Sequence, residues 1–76
     1  MRVAYNVKSH SPYSVTLKQV GLRLVPTTVT LQRSQITAVR QRLGELIADT
    51  TDGRAYIVKA GVSQEQRNLV RAAFGL

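Results

Sequence analysis

The sequence predicts a small α+β domain, a mainly antiparallel sheet with two short helices in the order β-β-β-α-β-β-α. Three observations predict it. Apolar residues alternate with period two along residues 2–8, 14–25 and 28–32. A helical period replaces that alternation at residues 34–43 and again at 63–74. Between those two stretches, an Asp-Gly pair separates two short apolar runs, the signature of a β-hairpin. With 76 residues, no internal repeat and no linker, residues 1–76 read as one domain.

The first strand, residues 2–8, turns Val3, Tyr5 and Val7 one way and Arg2, Asn6 and Lys8 the other. Ser9, His10, Ser11 and Pro12 form the turn that follows, because Pro12 lacks the N–H a ladder needs. The second strand changes phase. Val15 and Leu17 are odd-numbered, Val20, Leu22 and Leu24 even-numbered, so a bulge or short turn is expected between Lys18 and Gly21. Pro26 ends that run, and residues 28–32 resume a β-branched alternation.

Ser34 suits the N-cap of the first helix, whose stripe is Ile36, Val39 and Leu43, with Arg40 and Arg42 flanking it. Gly44 stops this helix; a competing reading carries it on to Ile47, at about 1 kcal/mol for an internal glycine. The hairpin then pairs residues 46–50 with 55–59, Asp49 facing Tyr56 and Ile47 facing Val58 about a type I′ turn at Asp52-Gly53. Ser63 and Gln66 form a capping box for the last helix, with Leu69, Val70, Ala73 and Phe74 on its apolar face. The expected core is Val3, Tyr5, Val7, Val15, Leu17, Val20, Leu22, Leu24, Val29, Leu31, Ile36, Val39, Leu43, Ile47, Ile57, Val58 and that helix face.

Few chemistries survive this inventory. There is no Cys and a single His, which excludes disulfides and multi-Cys or multi-His metal sites. His10 sits in a Ser-His-Ser-Pro loop with no acid nearby in sequence to orient it, so it reads as a solvated loop residue. The four acids do not pair on any predicted face, and the five glycines are isolated. The sequence therefore points to a non-enzymatic protein without a cofactor. No run approaches the roughly 18 apolar residues of a membrane span. The alternating N-terminus is not a secretory signal, which suggests a virion or host-cytoplasm setting.

Charge is the sharpest feature. Eleven Lys and Arg against four Asp and Glu give +7. Residues 1–44 contain Arg2, Lys8, Lys18, Arg23, Arg33, Arg40 and Arg42 and no acid, whereas residues 45–76 hold four cations and four acids. The seven cations of the first half are the expected partner-binding residues, and Arg54, Lys59, Arg67 and Arg71 should matter much less. Arg outnumbers Lys eight to three, favouring planar contacts with carboxylate or phosphate. The partner expected is a polyanion, either an acidic protein surface or nucleic acid through its phosphates. An ordinary solvated sheet face accounts for the same strand cations without any partner.

The motifs Val-Lys-Ser at 7–9, Leu-Lys-Gln-Val-Gly at 17–21, Pro-Thr-Thr-Val at 26–29, Gln-Ile-Thr-Ala-Val-Arg at 35–40 and Leu-Ile at 46–47 follow one another. In that order they resemble the N-terminal domain of a small head-region protein of Mu-like phages and prophages, over about residues 3–50. The resemblance implies a helix ending in Arg at 35–40 and a capsid- or tail-associated structural role without catalysis, docked on other virion subunits in an oligomeric assembly. It transfers no functional residues. A nonspecific nucleic-acid-binding protein and a phage-encoded inhibitor of a host defence protein are the alternative functions.

Overall fold

The structure, a computed structural model, describes residues 3–21, 27–61 and 63–75. Six strands form one sheet: β1 (Ala4–His10), β2 (Ser14–Val20), β3 (Thr28–Gln32), β4 (Ile36–Arg42), β5 (Glu45–Thr50) and β6 (Ala55–Lys59). Helix α1 (Gln64–Phe74) follows β6, and a 3₁₀ turn at Arg33–Gln35 joins β3 to β4. The spatial order is β3-β2-β1-β6-β5-β4. Neighbours are antiparallel except β1 and β6, which run parallel where two three-stranded meanders meet.

This order dictates the shape. Strands β3 and β4 lie at opposite edges of the sheet yet are consecutive in the chain. In a flat sheet five strand spacings of ~4.8 Å would hold them about 24 Å apart. The chain from Gln32 to Ile36 reaches about 14 Å at most. The sheet therefore curls so that the 3₁₀ turn can join its two edges; the Thr51 N–H, just after β5, donates to the Gln35 carbonyl of that turn at 2.9 Å. The concave side holds the core: Val7, Val15, Leu17, Leu31, Leu46, Ala48, Tyr56 and Val58 from the strands, closed by Val70 and Ala73 of α1. Tyr5 meets Tyr56 edge-on, ring centroids 5.5 Å apart.

The final helix forms as its spacing predicts. The Ser63 side chain accepts from the Gln66 N–H at 3.1 Å, and Gly75 ends the helix in the left-handed region. The Ser63 half of the expected capping box forms, and Gln66 Nε2, a donor that takes no part in such a box, is buried with no hydrogen-bond partner.

The helix expected at 34–43 does not form; the segment is the 3₁₀ turn and β4, so the domain has one α-helix instead of two. The cause is a bulge. The β4–β5 register steps from Ile36↔Thr50 to Ala38↔Asp49, leaving Thr37 as an extra residue. That residue puts Ile36 and Val39, three apart, on the same inner face, which imitates helical spacing. Leu43, expected in the core, is instead fully exposed at the tip of the hairpin between β4 and β5. Gly44 beside it turns the chain at φ +74°.

Two further corrections concern register. The second strand runs without a bulge to Val20 and the chain bends at Gly21, φ +143°, the turn alternative of the expectation; a separate bulge lies in β1, between Val7 and Ser9. Val20 faces the convex side with Ala4, half-buried; Leu22 and Leu24 lie outside the described residues. Val3, also expected in the core, is 38% exposed. In the β5–β6 hairpin the observed pairs are Asp49↔Ala55 and Ile47↔Ile57, one residue away from the expected register. A three-residue loop replaces the two-residue turn. The Gly53 N–H donates to the Thr50 carbonyl at 3.1 Å and the Thr50 N–H to the Arg54 carbonyl at 2.9 Å, with Gly53 at φ +82°. A slip of one reverses the faces. Leu46 and Ala48 therefore point into the core, while Ile47 is buried on the convex side, outside the main cluster.

Candidate docking groove

Among the described residues, the five cations of the expected basic half have different surroundings. Arg2 and Arg23 lie outside the described residues. Arg33, half-buried, acts within the fold: its Nε donates to the Ser11 carbonyl at 2.9 Å and its Nη1 to the Ala73 carbonyl. It thus ties the β1–β2 turn to the last turn of α1, where a cation also meets the negative end of the helix dipole. Arg40 is held by Asp49 in a two-pronged pair, Nε to Oδ2 and Nη2 to Oδ1, both at 3.0 Å. Lys8 and Lys18 are exposed on β1 and β2. Lys18 is opposite Asn6 in the β1–β2 register, and neither lysine lines the groove that Arg42 lines.

Arg42, the last of the seven, has company from the second half of the chain. It lines a groove of about 260 Å³ together with Arg67 and Arg71 of α1. The floor is apolar: Leu46 and Val70, each 2% exposed, and Ala60. Gln41 and Glu45 complete the strand wall, and Glu45 is itself engaged in a polar interaction. The sequence separates Arg42 from Arg67 and Arg71 by 25 and 29 residues, and the fold brings the helix pair and Arg42 to one groove. The helical spacing of Arg67 and Arg71, four apart on one face, was the readable part of this signal.

The strand side of the groove is braced from below. The Ala60 N–H donates to the Gly44 carbonyl at 3.0 Å. A Cβ on Gly61 would come within 3.1 Å of the Gly44 Cα, so the hairpin turn and the β6–α1 link touch backbone to backbone. The backbone that carries the strand side of the groove is therefore fixed before any ligand arrives, which lowers the ordering cost of binding.

Ion pairing elsewhere leaves these cations distinct. Among the described residues two ion pairs form, Arg40–Asp49 and Arg54–Asp52. Asp52 also accepts hydrogen bonds from the Thr50 hydroxyl and the Arg54 N–H. The Thr50 bond is the main cause that holds the Asp52 carboxyl below its usual range. Both acids thus belong to the β5–β6 hairpin. His10 is exposed, and among the described residues no group of three or more His, Cys, Asp or Glu is placed to hold a metal ion. Of the aromatic residues, Tyr5, Tyr56 and Phe74 pack with the core, and Tyr13, 78% exposed, stands on the β1–β2 turn outside the groove.

No family model, curated protein or solved structure matches this chain.

Proposed function

We propose that this chain is a non-enzymatic docking domain that binds an acidic protein surface. The observation that carries this reading is the convergence of Arg42, Arg67 and Arg71 on a preorganised apolar floor. Guanidinium groups pair with carboxylates through planar, two-pronged contacts, and an apolar floor adds contact area that screening by salt does not remove. The motif order in residues 3–50 supports a virion setting, capsid- or tail-associated, in which the partner is another subunit. That support rests on motif order alone, since residues 36–40, within the segment that the resemblance makes helical, are strand.

Nucleic acid is the second reading, favoured by the +7 charge. It fits the groove less well, because single-strand binding relies on stacked aromatics and no aromatic residue lines this groove. The two readings separate in one titration. A synthetic peptide of alternating Glu and Leu and a duplex DNA oligonucleotide of equal charge are each titrated at low and at physiological salt. Saturable peptide binding that persists at physiological salt is expected, while DNA binding fades as phosphate contacts do. DNA binding tighter than peptide binding at physiological salt would overturn the protein-docking reading.

A further inference from the structure

We propose that the Arg42–Arg67–Arg71 groove is a site for a short linear segment of the partner in which one bulky apolar side chain lies between carboxylates. This inference rests on the docking reading and names its recognition element. The groove measures about 260 Å³, below the roughly 300–1,000 Å³ of pockets that enclose a drug-sized ligand. That is a space for one side chain, seated on Leu46 and Val70. The cations stand on both sides of that floor, Arg42 on the hairpin and Arg67 with Arg71 on the helix. A lone anion satisfies one side only. A segment with acids before and after its apolar residue satisfies both, and the apolar residue packs against Ala60 and the aliphatic stems of the arginines, above the buried Leu46 and Val70.

The rim has a net positive charge of two when Glu45 is counted against the three arginines. This charge repels a second copy of the same basic chain and selects an acidic occupant. The contacts between Gly44 and Ala60–Gly61 hold the β4–β5 turn against the β6–α1 link.

The test uses two peptides that differ at one position, Gly-Glu-Glu-Leu-Glu-Glu-Gly and the same peptide with Ser for Leu, both with blocked ends. Binding to the full chain is followed by NMR. The Leu peptide should bind roughly tenfold more tightly, the lower end of what burying one leucine side chain contributes. It should also shift the methyl resonances of Leu46 and Val70. The exposed-site double variant Arg67→Gln/Arg71→Gln, checked for folding by circular dichroism, should weaken both peptides. Equal affinity for the two peptides, or shifts confined to residues outside the groove, would overturn the inference and leave acidic docking standing. Failure of both peptides to bind at millimolar concentration would overturn the inference and the docking reading together.

Discussion

Arg33 shows how a residue's role follows from where its atoms end up and not from its charge. On sequence it is one of seven cations available to a partner. In the fold its guanidinium serves two backbone carbonyls, of Ser11 and Ala73, that belong to separate elements. Removing a charged donor from part-buried acceptors costs about 1–3 kcal/mol. Arg33→Ala should therefore lower the melting temperature by about 4 °C or more, given the 4–8 °C per kcal/mol typical of domains this size. Arg33→Lys should recover only part of the loss, since one ammonium cannot reproduce the planar fork. Melting of Arg33→Ala at the parent temperature would return Arg33 to the set of free surface cations. Arg40 makes a similar point, less strongly. Its pair with Asp49 is half-exposed, with 53% of the Arg40 side chain open to solvent, so it contributes little to stability while still reducing the charge available to a partner.

At the scale of elements, the sequence was readable wherever periodicity was unbroken. Strand β3 and helix α1 follow their patterns residue by residue, and the Ser63 cap forms as the residue type predicts. Two of the failures share a cause, an added residue that shifts the pairing register. Thr37 bulges out of β4 and places Ile36 and Val39 on one face at a helix-like spacing. Gly53 closes a three-residue loop in place of a two-residue one and slips the β5–β6 register by one. A period count cannot separate a bulged strand from a short helix when the only evidence is three apolar positions. The β-branched Ile36, Thr37 and Val39 were the remaining clue. The hairpin arrangement itself is testable. Gly61 touches Gly44 only if residues 36–50 form a hairpin, so Gly61→Ala should destabilise the domain by about 1–3 kcal/mol through overpacking against backbone. A denaturant midpoint unchanged by Gly61→Ala would contradict the packing of the β4–β5 turn on the β6–α1 link.

For the whole molecule, the curl of the sheet decides where the groove lies. Because edge strands β3 and β4 are joined by three residues, the sheet wraps its core and leaves α1 to close the concave side beside the β4–β5 hairpin. That closure makes the groove, and it mixes the two halves of the chain that the linear charge distribution kept apart. Among the described residues the cations of the first half divide: Arg33 and Arg40 are engaged, Lys8 and Lys18 are exposed on β1 and β2, and Arg42 joins Arg67 and Arg71. The most direct measurement compares two charge reversals of equal size in the same acidic-peptide titration, Arg67→Glu/Arg71→Glu and Lys8→Glu/Lys18→Glu, with folding verified by circular dichroism. All four side chains belong to exposed residues, so both variants should fold. The groove pair should lose at least about tenfold in affinity, mainly through faster dissociation, while the β1–β2 pair should change the association rate and its salt dependence with little loss. A larger loss from Lys8→Glu/Lys18→Glu than from Arg67→Glu/Arg71→Glu would contradict the account and return the binding surface to the first half of the chain.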